Sequence, residues 1–239
     1  AENGTWAFTP EQPLAEGEHS ITVQAIDTAG NVSEPSEAFE LVVDTTAPEQ
    51  PVNGPEGTGI GEIIDDQGSI TGPIAEGDVT DDSKPTIKGN GNPGDTIIIN
   101  DNGTKIGEVE VGEDGTWEFT PETDLGDGDH GISVIIQDPA GNQSEPSDEW
   151  VITVDTQAPA APVIGSVLDD VGAKTGELTT GDVTDDQQPA FSGTAEAGAT
   201  VVIYDNGVEI GRVVAENGTW AFTPEQPLAE GEHSITVQA

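Results

Sequence analysis

The chain has 239 residues and carries 47 Asp and Glu against 5 Lys and Arg, which gives a formal net charge of −42. This charge excludes nucleic acid as a partner, because phosphate binding needs a basic patch, and it argues against docking on an anionic membrane surface. The lack of cysteine excludes disulfides and thiolate metal sites, and no apolar run approaches the roughly 20 residues that cross a bilayer, so no direct membrane insertion is expected.

An internal repeat organises the sequence. The segment AENGTWAFTPEQPLAEGEHSITVQA at residues 1–25 recurs without change at 215–239, and a diverged copy occupies 112–137. Such self-similarity is typical of tandem arrays, and we find no N-terminal signal peptide, so we expect the chain to be a segment of a longer protein. The repeat phase predicts three domains: the C-terminal part of a repeat at 1–46, a complete repeat at 47–156 and the N-terminal part of a further repeat at 157–239.

Each repeat of about 105 residues consists of short apolar segments separated by turn residues. In chain order the predicted strands are PVIGSVLD, PAFSGTA, TVVIYDNG, VEIGRVVAE, GTWAFTP and HSITVQA, followed by a last strand that reads AFELVVD or EWVITVD. Gly, Pro, Asn and Asp cluster between them, and no apolar pattern of helical period reaches helix length. About seven strands in a unit of this size predict an all-β fold of tandem immunoglobulin-like β-sandwich domains arranged end to end.

One aromatic pair recurs in the GTWxFTP segment of every repeat. A Trp and a Phe two residues apart on a strand point to the same face, and we interpret them as inward-facing core residues rather than a binding platform. These residues are Trp6, Trp117 and Trp220, with Phe8, Phe119 and Phe222.

Two acidic clusters have almost no basic residue to balance them. GDVTDD occurs at residues 77–82 and again at 181–186, and each copy follows an Asp pair about a dozen residues upstream. A solvated charged loop is the common explanation of such a run and stays open here. Calcium is favoured, because it takes about six to eight oxygen ligands from carboxylates, amides and backbone carbonyls. The cluster residues are Asp65, Asp66, Asp78, Asp81 and Asp82 in the middle repeat, and Asp169, Asp170, Asp182, Asp185 and Asp186 in the third.

Catalysis is the third explanation of the acidic clusters. Paired carboxylates can serve glycoside hydrolysis, but that reaction needs two acids at a set separation beside a sugar-binding cleft. The sequence has no matching concentration of aromatics, and the same cluster recurs along the chain. The recurring histidines His19, His130 and His233 have no Ser or Cys partner motif, so we predict loop or strand-entry residues rather than bases. No enzymatic activity is expected.

Strand order places the acidic clusters at one end of each domain. Consecutive strands of a sandwich run up and down, so the loop after the first strand lies at the end where the chain leaves the domain, through Asp44 or Asp155. The loop between the last two strands lies at the entry end and carries D-x-A-G-N. Its residues are Asp27 and Asn31, then Asp138 and Asn142. End-to-end stacking predicts a calcium joint formed by the exit loop, the linker Asp and the D-x-A-G-N loop of the next domain.

The combination of GDVTDDxxP, a DNG turn, GTWxFTP, D-x-A-G-N-x-S and VDTTAP resembles the bacterial Ig-like tandem repeats of giant type I-secreted, RTX-type, biofilm-associated adhesins. The resemblance implies an extracellular protein of the bacterial cell surface or biofilm matrix, with calcium at the junctions between domains. It implies a calcium-stiffened extender (stalk) segment that serves cell adhesion and biofilm formation. Its partners would be calcium ions, neighbouring Ig-like repeats of the same protein and, through another region, the same protein on other cells or a host or surface ligand.

Two other functions stay open. A carbohydrate- or receptor-binding module would be favoured by an exposed aromatic cluster, for which Trp150, opposite Phe39 of the companion repeat, is the one unmatched aromatic of note. A homotypic module would instead bind repeats of the same protein on other cells.

Overall fold

The computed structural model describes residues 4–239, and all the secondary-structure elements in that range are β-strands. No helix in this part of the chain has the length and apolar character needed to cross a membrane. The chain separates into two compact units, Ala1–Thr156 and Gln157–Ala239. The prediction of an all-β fold is confirmed.

The first partial repeat forms a small antiparallel sheet. Strand β1, Gly17–Ile21, pairs with β2, Phe39–Val43. Trp6 and Phe8 are 65% and 77% exposed, so the prediction that they lie in a core is wrong for this repeat. The physical reason is that β1 and β2 alone form a two-stranded sheet, which lacks the second layer against which the aromatic pair packs in the other repeats.

The middle repeat is a sandwich of two sheets. Its strands are β3 Ile60–Asp65, β4 Gly72–Ile74, β5 Val79–Thr80, β6 Thr86–Asn90, β7 Thr96–Asp101, β8 Thr104–Glu110, β9 Thr116–Phe119, β10 Gly128–Gln137 and β11 Trp150–Val154. One sheet has the order β5-β11-β10-β7-β8 and the other the order β4-β3-β6-β9. The pairing of β5 with β11 is parallel, and the other pairs are antiparallel.

Isoleucine and valine side chains from both sheets fill the core of the middle repeat. In β6 and β11 the buried residues alternate with partly exposed ones, as expected for sheets with one face buried, whereas β7 and β10 contain consecutive buried residues at 97–100 and 130–134. The innermost residues are Ile60, Ile63, Ile87, Ile97, Ile99, Ile132, Val134 and Ile152. This core replaces the disulfide that stabilises many sandwiches of this type.

Trp117 closes one side of this core. It is 4% exposed, and its indole N–H donates a hydrogen bond to Asn90 O at 3.1 Å. A Cβ at Gly89 would overlap both the Trp117 ring and the carbonyl of Gly59. Glycine at position 89 therefore permits the close approach of ring and strand, and Phe119 packs beside the same core. For these two residues the core prediction is confirmed.

The third repeat is a smaller version of the same sandwich. Its strands are β12 Val163–Asp169, β13 Gly176–Glu177, β14 Ala190–Thr194, β15 Thr200–Asp205, β16 Val208–Val214, β17 Thr219–Phe222 and β18 Ile235–Gln238. They form sheets of order β13-β12-β14-β17 and β16-β15-β18. Phe191, Val201, Ile203 and Trp220 are buried between them, with Phe222 partly buried beside them.

The strand predictions are confirmed in the middle and third repeats. PVIGSVLD contains β12, TVVIYDNG contains β15 and EWVITVD contains β11. The short strands β4, β5 and β13 were not predicted, because each has only two or three residues. They lie in the acidic segments, and they decide where the acidic side chains are held.

Candidate metal centre at the acidic hairpin

The acidic segment after β3 is a hairpin rather than a simple loop. β3 ends at Asp65, and β4 returns antiparallel beside it. β5 then joins the opposite sheet, where Val79 lies opposite Thr153 of β11. The prediction of a single loop is wrong in this detail, because Ile74 and Thr80 are buried and tie the segment to the domain.

Two aspartates of this hairpin are buried and hydrogen-bonded within it. Asp65 is 7% exposed and Asp82 is 1% exposed. The Thr80 hydroxyl links them, since it donates to Asp65 Oδ2 at 2.6 Å and accepts from the Asp82 N–H at 3.1 Å. The Asp82 carboxylate accepts from the N–H groups of Lys84 at 2.7 Å and Asp66 at 3.2 Å. Donors inside the domain therefore stabilise these two carboxylates.

The third repeat contains the same arrangement. Thr184 Oγ1 donates to Asp169 Oδ2 at 2.6 Å and accepts from the Asp186 N–H at 2.9 Å. Asp186 Oδ1 accepts from the Gln188 N–H at 2.8 Å, and the Asp170 N–H donates to Asp186 Oδ2 at 3.5 Å. A Gln stands here in place of the Lys of the middle repeat, so the backbone N–H is the feature that the two repeats share.

Thr80→Val is expected to lower the free energy of unfolding of the unit Ala1–Thr156 by about 1–3 kcal/mol. The substitution keeps the shape of the side chain but removes the hydroxyl that satisfies the buried Asp65 carboxylate. Urea denaturation followed by circular dichroism measures the change. Thr104→Val, at an exposed position, is the control and should change stability by no more than about 0.5 kcal/mol. Equal losses for the two variants would contradict the assignment.

The linker aspartate of the middle repeat lies beside this hairpin. The Asp155 N–H donates to Thr80 O at 2.9 Å, which continues the pairing of β5 with β11. A cavity of about 270 Å³ opens here, and Asp65, Asp81 and Asp155 are among its lining residues. Asp81 also lies against Gly68, where a Cβ would overlap its carboxylate. Three of the sequence-predicted ligands therefore line one cavity.

The remaining acidic residues of the hairpin have local partners. Asp78 Oδ2 accepts from the Ala75 N–H at 3.1 Å and so closes the turn before β5. Asp66 Oδ1 accepts from the side-chain amide of Gln67 at 2.6 Å. Asp66 and Asp78 are not among the residues that line the cavity of about 270 Å³, so the structure separates them from the other three.

The third repeat has a smaller acidic cavity. Asp169, Asp182 and Asp185 line a volume of about 90 Å³ together with Lys174. Asp182 Oδ2 accepts from the N–H and the hydroxyl of Thr179 at 2.8 and 2.9 Å. These two hydrogen bonds, with a smaller contribution from the charge of Lys174, lower the pKa of Asp182. The carboxylate therefore stays ionised to lower pH than an ordinary Asp.

The D-x-A-G-N loops are closed by Asp–Asn pairs. Asp138 Oδ1 accepts from the Asn142 N–H at 2.8 Å, and Oδ2 accepts from the Asn142 side-chain amide at 2.8 Å. Asp27 and Asn31 form the same pair at 2.8 and 2.7 Å. In both loops the hydrogen bond from the Asn side chain is the largest cause that lowers the pKa of the Asp.

The linker of the first repeat contacts the D-x-A-G-N loop of the middle repeat. Asn142 Nδ2 donates to Asp44 O at 3.1 Å. The Asp44 carboxylate instead accepts from the Thr46 N–H at 3.0 Å. The structure thus brings together the linker and the loop that the sequence paired, and it does so through the backbone carbonyl of Asp44.

Across residues 4–239, no group of three or more His, Asp or Glu side chains is arranged to hold a metal ion by itself. Calcium, however, completes its coordination shell with backbone carbonyls and water, and it prefers the carboxylate and carbonyl oxygens found here. The residues therefore fit calcium in donor chemistry, at the hairpin cavity and at the contact between Asp44 and Asn142.

Sequence reasoning missed the partners of the recurring histidines. His130 lies in β10, and its Nδ1 is 2.8 Å from Asp101 Oδ2; His233 Nδ1 is 2.7 Å from Asp205 Oδ2. The separations along the chain are 29 and 28 residues. A signal existed, because each of these histidines follows the Asp of a DNG turn at nearly the same distance.

Two-sheet sandwiches of short strands with these turns define an immunoglobulin-like module. The chain belongs to the bacterial Ig-like domain family, whose model matches residues 1–45, 59–156 and 161–239. Comparison with curated proteins finds no match.

Solved structures with related architecture include fibronectin(III)-like modules of Clostridium thermocellum CbhA. That structure is 16% identical, with 73% of this chain and 82% of that chain covered and a TM-score of 0.41. The FN1–FN3 domains of chicken CNTN1 are 12% identical over 92% of this chain and 75% of that chain, with a TM-score of 0.37. The BSP domain of a biofilm associated protein is 22% identical over 75% of this chain and 29% of that chain, with a TM-score of 0.26.

Proposed function

We propose that this chain is a calcium-stiffened extender segment of a bacterial cell-surface adhesin, exported by type I secretion to the cell surface or the biofilm matrix. The observation that carries the proposal is the meeting of the linker residue Asp155 with the acidic hairpin, at a cavity that three carboxylates line. Membership of the bacterial Ig-like domain family supports a module of this kind, and the net charge of −42 supports a requirement for cations.

Calcium in the hairpin cavity would join two parts of the chain that repel each other. Asp65 and Asp81 belong to the hairpin, whereas Asp155 belongs to the linker, and all three line the same space. Carboxylates around one cavity repel each other, and a divalent cation between them attracts all of them. The bound ion would restrict rotation of the linker, which Pro159 stiffens further because its ring fixes φ.

A second ion would bind at the entry end of the middle repeat. The Asp44 carbonyl lies beside Asn142, which is itself paired with Asp138. Backbone carbonyls, Asp carboxylates and Asn side chains are all calcium ligands. In the proposed arrangement the middle repeat therefore holds the first linker at Asp44 and the second linker at Asp155.

The extender acts without catalysis, with calcium and neighbouring repeats as its partners. The same hairpin with the same Thr–Asp hydrogen bond is found in the middle and third repeats, and such repetition favours a structural element over an active site. Trp150, the aromatic that would favour a carbohydrate-binding face, packs against the core of the middle repeat. The position of Trp150 favours the extender over a carbohydrate-binding module in the middle repeat.

Asp81→Asn is expected to weaken calcium binding by at least about tenfold, because even the loss of an outer-shell partner costs that much in metal sites. Isothermal titration of the whole 239-residue chain with calcium chloride measures the affinity. Asp148→Asn removes the same charge at an exposed position away from the cavity and is the matched control. If both variants weaken binding equally, the calcium affinity depends only on the net charge of the chain, and the assigned site is wrong.

A further inference from the structure

The recurring histidines contact oxygen atoms through both ring nitrogens. In the middle repeat, His130 Nδ1 is 2.8 Å from Asp101 Oδ2, and Nε2 is 2.7 Å from Gly126 O. In the third repeat, His233 makes the corresponding contacts at 2.7 Å to Asp205 and 2.7 Å to the Ala229 carbonyl. A neutral imidazole has one N–H and can donate only once, whereas the imidazolium donates twice. Opposite an ionised carboxylate and a backbone carbonyl, both contacts are therefore hydrogen bonds only when the ring is protonated.

The positive charge of each protonated histidine stabilises the carboxylate that faces it. His130 is only 9% exposed, and Asp101 Oδ1 is buried and accepts no hydrogen bond from residues 4–239. In the third repeat, Asp205 Oδ1 is likewise buried and accepts no hydrogen bond from the described residues. A buried carboxylate with one unsatisfied oxygen is costly unless the other oxygen has a charged partner. The imidazolium supplies that partner.

The segment that His130 holds is also the segment that holds the linker. Gly126, whose carbonyl contacts His130, is followed by Asp127, and Asp127 Oδ1 accepts from the Thr156 N–H at 3.0 Å and from its hydroxyl at 2.8 Å. Two residues further on, Asp129 Oδ1 accepts from Thr153 Oγ1 at 2.7 Å. The segment 126–129, which includes the first two residues of β10, thus connects the histidine to the start of the linker.

The first repeat has the same order of contacts. His19 Nε2 is 2.8 Å from Ala15 O, and the next residue, Glu16, accepts from the Thr45 N–H at 2.9 Å and from the Thr45 hydroxyl. Thr45 and Thr156 each follow the linker Asp of their repeat. In both repeats, therefore, a histidine contacts the backbone carbonyl of one residue, and the carboxylate of the next residue accepts hydrogen bonds from the linker Thr.

We propose that protonated His130 is a pH-responsive clasp, which fastens the segment 126–129 to β7 and through Asp127 anchors the linker residue Thr156. Loss of the proton removes one of the two contacts of the ring, so the segment and the linker anchor loosen. This device goes beyond the calcium proposal, because its parts are hydrogen bonds between groups that are not among the predicted metal ligands.

The charges that face His130 from each neighbouring element are acidic. Asp101 lies at the end of β7, Asp129 lies in β10 beside the histidine, Asp127 lies in the segment 126–129, and the Glu149 carboxylate lies near the backbone of Gly131 before β11. Burial lowers the pKa of His130, but the hydrogen bonds to Gly126 O and Asp101 and the charges of Asp101 and Asp129 outweigh it, so the pKa is raised above 6.5.

The third repeat supplies an independent copy of the clasp. Hydrogen bonds to Ala229 O and to Asp205 raise the pKa of His233 above 6.5, and Glu232 is the adjacent acidic residue. Because the folded-state pKa is raised, the stabilisation is fully present below the pKa of the unfolded chain. It is lost as pH rises through the folded-state pKa.

The test is the amide protection factor of Thr156 in the whole chain, measured by hydrogen exchange between pH 5 and 9 after correction for intrinsic rates. We expect it to fall roughly fivefold as His130 loses its proton, which is the difference between a charge-assisted and a neutral hydrogen bond. In His130→Gln it should be low and independent of pH. His233→Gln, which alters only the third repeat, should retain the response of the unaltered chain.

Two further measurements test the proposal independently of the His130→Gln variant and of calcium binding. The histidine ring signals of the unaltered chain are titrated by NMR, folded and in urea, so the result stands even if His130→Gln does not fold. The proposal would be overturned if the pKa of His130 in the folded chain is at or below its value in urea. It would also be overturned if the Thr156 protection factor does not change while His130 loses its proton. All experiments are run in EGTA and repeated in calcium, so that failure of the clasp and failure of calcium binding are told apart.

Discussion

Trp117→Ala is expected to lower the free energy of unfolding of the middle repeat by about 3–5 kcal/mol, the cost of removing a large aromatic side chain from a packed core. Trp117 is 4% exposed, and its indole N–H donates to Asn90 O. Gly89 leaves room for the ring, so the substitution opens a cavity that β6 cannot fill with a side chain of its own. Urea denaturation followed by far-ultraviolet circular dichroism measures the loss.

The repeat supplies matched controls for this prediction. Trp6 stands in the same GTWxFTP segment but is 65% exposed, so Trp6→Ala should change stability by no more than about 0.5 kcal/mol. Trp220 is 3% exposed, and Trp220→Ala should destabilise the unit Gln157–Ala239 instead. Similar effects of Trp6→Ala and Trp117→Ala would show that the aromatic pair does not form the core of the middle repeat.

These three tryptophans also show how far the sequence determines the fold. Alternation of apolar residues predicts which face of a strand is buried, and for Trp117 and Trp220 that prediction is confirmed. Alternation does not say whether a second sheet is present to cover that face. Trp6 follows the same pattern and is exposed, because β1 and β2 form a sheet of only two strands.

The acidic hairpin shows the other limit of sequence reasoning. An Asp-rich segment is read as solvent-exposed because charged side chains are rarely buried alone. Asp65 and Asp82 are nevertheless buried, because Thr80 and backbone N–H groups satisfy their carboxylates. Such hydrogen bonds depend on how the chain folds back on itself, and two-residue strands such as β5 leave no periodic signal.

The placement of the linkers was closer to what the sequence predicted. Strand order put the exit segment near Asp155 and the D-x-A-G-N loop near Asp44, and the structure brings both pairs into contact. Their chemistry differs from the prediction, since Asp44 contributes its carbonyl to the contact rather than its carboxylate. Calcium binding at either position stays a prediction.

Calcium is expected to raise the apparent stability of the chain by about 1.4–2.7 kcal/mol for each occupied site at a calcium concentration of ten to a hundred times Kd. Extracellular modules bind calcium with Kd of about 10⁻⁴ to 10⁻³ M, so concentrations of about 10 mM suffice. The gain should appear as a higher melting temperature that EGTA reverses. The physical reason is that calcium would bind the folded hairpin cavity, which Asp65, Asp81 and Asp155 line, and not the unfolded chain.

Screening of the large negative charge must be separated from specific binding. Magnesium at the same ionic strength screens equally but demands a smaller, near-octahedral site, so it should give only a small part of the calcium effect. Asp81→Asn should lose the part of the calcium response that comes from the hairpin cavity, while Asp148→Asn retains the whole response. Equal stabilisation by magnesium and calcium would favour the solvated-loop explanation of the acidic clusters.

The most direct test of the extender function is small-angle X-ray scattering of the chain in calcium and then in EGTA at constant ionic strength. Calcium that fixes the linkers should give a larger maximum dimension and a narrower distribution of distances, and EGTA should shorten and broaden that distribution. Asp81→Asn should lose the part of this calcium response that comes from the linker at Asp155. A maximum dimension and melting temperature that are the same in calcium and in EGTA would contradict the proposal that calcium stiffens this segment.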